Sequence, residues 1–220
     1  MADAKEIQEL AKMLHLQNVA NGTIDLNDES LSNKDYLYKI LLEEVNIRNA
    51  NKLKDVKRAS RLKQLTFDET RITDGLKWQL SKLREFDFAL KKQNIFIVGD
   101  CSTGKTSLAS TIGMNALEKG AKVMYLTLDD LMLESKLKKK CWNNVLNADL
   151  IIVDDVFYLT PTEEELVQIY KLMMFLQETR SIILVTNRPL SSWKDMKVDT
   201  HLIETLEKRL MQDAQIISLA

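Results

Sequence analysis

Gly99-Asp100-Cys101-Ser102-Thr103-Gly104-Lys105-Thr106 satisfies every fixed position of the pattern G-x-x-x-x-G-K-[ST]. These residue types in this order can hold a polyphosphate. Glycines let the backbone bend around a phosphate, and the N–H groups of the loop through Ser107 carry partial positive charge at a helix start. Lys105 reaches the outer phosphates, and the Thr106 hydroxyl can ligate Mg2+. A plain glycine turn before a helix would have the same outline. Here the flanks agree with the fuller reading: Ile95 to Val98 is a short apolar run, and Leu108, Ile112 and Leu117 with small Ala109, Gly113 and Ala116 recur at helical spacing.

Two further stretches carry groups suited to phosphoryl transfer to water. Leu150-Ile151-Ile152-Val153-Asp154-Asp155 is an apolar strand that ends in two acids. At the carboxyl end of a parallel strand, Asp154 can hold the magnesium shell and Asp155 can orient an attacking water. Ser181 to Val185 is another such run, followed by Thr186-Asn187-Arg188-Pro189. Asn187 can hydrogen-bond the water or the terminal phosphate, and the simpler reading is a turn before Pro189.

The elements that must position these groups follow from the alternation of strand-like and helical stretches. Ile95–Val98, Lys122–Thr127, Leu150–Val153, Ile182–Val185 and Ile216–Leu219 read as strands with helices between them, an α/β arrangement with a parallel sheet sandwiched by helices. Before them no strand is evident. Ile7, Leu10, Ala11 and Leu14 form one amphipathic helix, and Leu37, Ile40, Leu41, Leu42 and Val45 form another after a Ser32-Asn33 cap signal. The expected organisation is a helical domain over residues 1–65, a connecting segment over 66–90 and the α/β domain over 91–220.

Composition narrows the class. With 220 residues, 45% apolar and 29% charged, the chain can bury a core, and no apolar run is long enough to span a bilayer. The N-terminus lacks the apolar stretch of a secretory signal, which suits a cytoplasmic protein. Cys101 and Cys141 are scattered thiols, and His15 and His201 are far apart, so no metal-ligand spacing is present. A net charge of −1 gives no global pull toward nucleic acid. Any such binding must come from local runs. Lys54, Lys57, Arg58 and Arg61 would share one helix face able to follow a phosphate backbone, or would be a solvated face.

Taken in order, the phosphate loop, Ile-Ile-Val-Asp-Asp-Val-Phe-Tyr-Leu-Thr-Pro, Ile-Leu-Val-Thr-Asn-Arg-Pro-Leu-Ser-Ser-Trp around Trp193 and a final helix with Glu-Lys-Arg-Leu resemble the IstB-like ATPases of insertion sequences. That family belongs to the AAA+ superfamily and is related to the DnaC/DnaI helicase loaders. The resemblance covers nearly the whole chain. It implies a P-loop AAA+ domain without the usual C-terminal lid, a helical N-terminal domain, ATP and Mg2+ as ligands, and self-assembly on duplex DNA into rings or filaments. It further implies a transposition helper that recruits or activates a transposase. By position, Arg209 resembles the arginine that reaches a neighbouring subunit's nucleotide, and Lys136, Lys138, Lys139 and Lys140 fall in a helical insertion on the DNA side. The second acid is Asp155 where the transposition helpers usually carry the longer Glu. The same residues leave open a helicase loader with a replicative helicase as partner, and the phosphate loop alone also fits a small-molecule phosphotransferase.

Overall fold

The computed structural model of the chain describes residues 4–24, 32–85 and 92–219. Residues 25–31 and 86–91, the latter at the end of the expected 66–90 connecting segment, lie outside them. The chain divides into two compact units, Met1–Val56 and Lys57–Ala220.

In the first unit, α1 (Ala4–Met13) and α2 (Gln17–Ala20) precede the long α3 (Asn33–Ala59), whose residues through Val56 belong to this unit. Ser32 Oγ accepts the Asp35 N–H at 3.2 Å, the cap that the Ser-Asn signal announces. The small core is built from Ala11, Val19, Ala20 and Ile24, with Ile7, Leu16, Ile40 and Ile47 packed against it. Leu37, Leu41, Leu42 and Val45, read from the sequence as the packed stripe of the second helix, stay exposed. Glu44 is instead the buried group on α3, and its carboxylate accepts from Arg48 Nε at 2.8 Å and from the Asn18 N–H at 3.0 Å. Burial opposes its ionisation, but these donors outweigh it and hold the carboxyl below its ordinary value.

The units part at Lys57, earlier than the boundary near residue 65 that the sequence suggests. The residues just beyond Val56 are bonded into the α/β unit, and this is the physical reason. Lys57 pairs with Glu118, and the Ser60 carbonyl accepts the Tyr125 N–H at 2.8 Å. Arg61 pairs with Glu134.

That unit holds five strands, β1 (Ile95–Gly99), β2 (Val123–Thr127), β3 (Leu150–Asp154), β4 (Ser181–Thr186) and β5 (Gln215–Leu219). All pairings are parallel and the order is β2-β3-β4-β1-β5. Phe96, Ile151, Ile152, Ile182 and Ile183 are fully buried, as strands covered on both faces require. Helices α4 (Asp74–Arg84), α5 (Lys105–Glu118), α6 (Leu128–Leu137), α7 (Lys140–Leu146), α8 (Glu163–Gln177) and α9 (Thr200–Leu210) complete it. Trp193, in a short 3-10 turn after β4, has no exposed surface and packs edge-on against Phe157 at 4.7 Å and against Phe96 at 6.1 Å. It anchors the Pro-Leu-Ser-Ser-Trp block in the core. Among the described residues, no helix is long and apolar enough to cross a membrane.

Registers put the chemistry-bearing residues at one edge. Gly99 lies opposite Leu219, Val98 opposite Thr186, and Asp154 opposite Thr127. The loop after β1, the acids after β3 and Asn187 after β4 therefore share the carboxyl edge of the sheet, where crossovers on either side of β1 open a crevice.

Candidate nucleotide site

The loop between β1 and α5 is shaped by close approach. A Cβ on Gly99 would meet the Leu219 carbonyl oxygen at 2.2 Å, so only glycine lets β5 lie this near. Gly104 has φ +91° and a Cβ there would meet the Phe67 ring at 3.2 Å. Ser102 is also left-handed, at φ +66°. Thr103 Oγ1 donates to the Asp100 carbonyl at 3.0 Å, and Lys105 Nζ donates to the same oxygen. Gly104 caps α5 with no side-chain hydrogen bond to the first turn. The donors of that turn, with the turned backbone ahead of it, suit a phosphate anion.

Thr106 Oγ1 donates to Asp154 Oδ2 at 2.9 Å. A hydroxyl and a carboxylate oxygen at this separation form a hard donor set of the kind Mg2+ prefers. Tyr125, reaching across from β2, also donates its hydroxyl to Asp154 Oδ2. Desolvation and the neighbouring Asp154 raise the Tyr125 phenol far above its ordinary value, so it stays a donor. The Asp155 N–H donates to Asp154 Oδ1 at 2.9 Å. Asp155 itself has φ +56°, a conformation that turns its side chain out of the strand's line. Burial and the charge of Asp154 raise its carboxyl above the ordinary value, while Lys63 and Lys105 act the other way. Asn187 Nδ2 reaches Cys101 Sγ at 3.7 Å, which sets the residue after β4 beside the phosphate loop. Val156 N–H donates to the Val185 carbonyl at 2.9 Å, and the Thr186 hydroxyl donates to the Val156 carbonyl at 2.8 Å, fastening the two strand ends to each other.

Two clefts adjoin this cluster. One, of about 880 Å³, lies beside Ser102, Thr103, Gly104 and Ser107 and is walled by Phe67, Ile72 and Leu76. Its apolar wall and polar floor have the size and character of a pocket for a nucleoside. The other, of about 540 Å³, contains Asp155 together with Lys136, Tyr158 and Leu159. Sequence reasoning missed Phe67, Tyr125 and the apolar wall. Lys63, which the sequence shows only as the last cation of the basic run, reaches Asp154 Oδ2 at 3.7 Å. No spacing signals these residues, because they reach the site by tertiary packing alone.

The remaining candidate residues lie apart. Arg209 sits at the end of α9, over the Tyr170 ring at 5.9 Å and 3.7 Å from Met174 Sδ. Next to it, the Leu210 carbonyl accepts from Asn94, just before β1, so Arg209 stands toward the amino edge of the sheet, opposite the edge that carries the phosphate loop of its own chain. The four residues of the basic run do not share a helix face. The helix ends at Ala59, and Arg61 is left-handed at φ +57° because the chain turns there to meet β2. Lys54 and Arg58 are exposed on α3, while Lys57 and Arg61 are drawn into ion pairs with Glu118 and Glu134. Lys136, Lys138, Lys139 and Lys140 are all exposed at the junction of α6 and α7, where Lys138 is left-handed at φ +48°.

The family model described as IstB-like ATP binding protein matches residues 2–220. An IS21-like insertion-sequence ATP-binding protein of Bacteroides fragilis is 27% identical over 231 residues, covering 98% of this chain and 87% of that protein. Among solved structures, AMPPCP-bound DnaA of Aquifex aeolicus has a TM-score of 0.53 at 23% identity, over 72% of this chain and 51% of that one. The DnaC helicase loader has a TM-score of 0.52 at 17% identity, over 74% of this chain and 99% of that one. At these identities the likeness is one of fold, that of the P-loop AAA+ domains.

Proposed function

Because the chain belongs to the family of IstB-like ATP-binding proteins, we propose that it is a magnesium-dependent ATPase that assembles on duplex DNA, as a ring or filament of its own copies, and recruits or stimulates a transposase. The observation that carries this reading is the meeting of Thr106, Asp154 and Asn187 with the phosphate loop at one edge of the sheet. A kinase would need a second substrate in line with the loop. The groups that surround this one suit water as the acceptor.

The first turn of α5 binds the phosphates through its N–H groups, and Lys105 exchanges the Asp100 carbonyl for an outer phosphate oxygen. Thr106 and Asp154 would hold Mg2+, which when bound neutralises charge on the outer phosphates. Asp155 accepts a proton from the attacking water and holds it in line, and the Asn187 amide orients the same water or the terminal phosphate. The cleft walled by Phe67, Ile72 and Leu76 takes the nucleoside. Arg209, remote from the loop of its own chain, faces the nucleotide of a neighbouring copy. Lys136, Lys138, Lys139 and Lys140, with Lys54, Lys57, Arg58 and Arg61, supply the charge that meets the DNA backbone.

Phosphate release from ATP, measured with and without duplex DNA and with and without an added transposase, tests the reading. The expected result is hydrolysis that needs Mg2+ and rises with DNA and transposase together. Absence of hydrolysis under all these conditions would refute it. Stimulation by a replicative helicase instead of the transposase would make the protein a loader, as the fold likeness to DnaC allows.

A further inference from the structure

The segment that leaves α3 is fastened along the outer side of β2, an edge strand of the sheet. The Ser60 carbonyl accepts the Tyr125 N–H at 2.8 Å, and its hydroxyl tightens the turn by donating to the Lys57 carbonyl at 2.7 Å and accepting the Leu62 N–H at 3.2 Å. Arg61 reaches Glu134 on α6 at 3.2 Å. Leu62 lies so close to α5 that a Cβ on Gly113 would meet its Cδ2 at 2.7 Å. All of this delivers one side chain: Lys63 Nζ stands 3.7 Å from Asp154 Oδ2 and 5.1 Å from the centre of the Tyr125 ring.

Asp154 Oδ2 therefore faces three donors, the hydroxyls of Thr106 and Tyr125 and the ammonium of Lys63. A carboxylate oxygen offers two lone-pair sites, and the two hydroxyls already use them. A divalent cation drawn to this oxygen must turn a hydroxyl aside and must also tolerate a positive charge on the same carboxylate. Thr106 can rotate its hydroxyl and present a lone pair without moving. Tyr125 is buried and held by β2. Lys63 is half exposed, on a flexible stem with water at hand, and is the member able to leave.

Resting on the reading of Thr106 and Asp154 as the metal site, we propose that Lys63 is the counter-cation of Asp154 and yields it to the divalent metal, so that the residue leading out of the long helix sets how strongly metal and nucleotide binding are linked. With nucleotide alone, Lys63 neutralises Asp154 beside the phosphates. With metal present, the same charge opposes it. Both effects act in one direction: they lessen the advantage that Mg2+ confers on nucleotide binding.

The measurement is the ratio of the dissociation constants of a fluorescent, non-hydrolysable ATP analogue in EDTA and in Mg2+, which cancels differences in active fraction between preparations. Lys63→Met should raise this ratio by about five- to tenfold, the scale of one like charge at a half-exposed site. Lys63→Arg, which keeps the charge, should leave it near the parental value. Asp154→Asn should bring it down toward one. If Asp154→Asn collapses the ratio while Lys63→Met leaves it unchanged or lowers it, the metal site stands and the counter-cation proposal fails. A rise in Lys63→Arg equal to that in Lys63→Met would trace the effect to packing on Tyr125 and also overturn it. If Asp154→Asn keeps the parental ratio, the metal site itself is misassigned, and the proposal falls with it.

Discussion

Thr106 Oγ1 and Asp154 Oδ2 lie 2.9 Å apart, joining the first turn of α5 to the last residue of β3 across 48 residues of chain. The contact exists because both residues end or begin elements at the carboxyl edge of one parallel sheet. It also distinguishes the paired acids, and it is the basis for proposing Asp154 as the one that takes the metal. Asp154 is turned toward Thr106, whereas Asp155, left-handed at φ +56°, lines the neighbouring cleft.

That division of labour is separable by substitution. Lys105→Ala should weaken binding of ATP by about 1.5–3 kcal/mol, the loss of a charge-assisted contact. Asp155→Asn should leave affinity intact and slow hydrolysis by about 10²- to 10⁴-fold, since asparagine accepts a left-handed backbone as readily as aspartate does. Calorimetry with a non-hydrolysable analogue and steady-state phosphate release check the two. Unchanged affinity in Lys105→Ala would displace the site.

The basic clusters should contribute unequally to DNA binding. Lys57 and Arg61 are held by Glu118 and Glu134, while Lys136, Lys138, Lys139 and Lys140 are all exposed. Alanines at the latter four should flatten the log–log salt dependence of duplex binding by roughly one unit for each phosphate left unneutralised. Alanines at Lys54, Lys57, Arg58 and Arg61 should flatten it less. Fluorescence anisotropy at several salt concentrations measures both slopes, and equal slopes in parent and variants would move the DNA contact elsewhere.

Arg209 should act on a neighbouring copy. Its own-chain contacts, the Tyr170 ring and Met174, are worth under about 1 kcal/mol at an exposed site, so Arg209→Ala should stay folded and bind ATP. Its hydrolysis under assembly conditions should drop by a factor on the order of 10³. Mixing it with Lys105→Ala on DNA should restore part of the activity, because some interfaces then pair a sound pocket with a sound arginine. Parental activity in Arg209→Ala alone would end the shared-site reading at this residue.

The helical unit should lose stability in acid through Glu44. Its carboxyl is held below the ordinary value of 4.5 by Arg48 and the Asn18 N–H despite burial. A depressed folded-state value means that the stabilisation is fully present above the unfolded value and is lost as pH falls through the folded one. Glu44→Gln should therefore lower the thermal midpoint at pH 7 and narrow its gap to the parent as pH falls below about 4. A gap that is constant with pH would show that the charge of Glu44 is not what holds the helices.

Much of the site was legible in the chain because its parts are local. A phosphate loop needs its glycines, lysine and threonine within a few residues, and an apolar run closing on Asp154 or followed by Asn187 announces a strand end. Strands β1 to β4 were readable for a like reason, since strands buried on both faces demand continuous apolar runs such as Leu150–Val153, whereas β5, at the sheet edge, alternates buried Ile217 and Leu219 with exposed Ile216 and Ser218. The resemblance carried by Trp193 has its physical ground in a side chain wholly buried against Phe96 and Phe157.

Only the tertiary structure decided what surrounds Asp154. Tyr125 and Lys63 reach it from an edge strand and from the segment after α3, through packing that leaves no periodic or spaced trace in the sequence. The same holds for the end of α3. Helical spacing would carry the basic face on to Arg61, but the Ser60 carbonyl's bond to the Tyr125 N–H and the ion pair of Arg61 with Glu134 accompany a chain that has already turned after Ala59. Local chemistry is written in neighbouring residues. Which distant donors share one carboxylate oxygen depends on how the sheet edge is covered, and that is settled only when the whole unit packs.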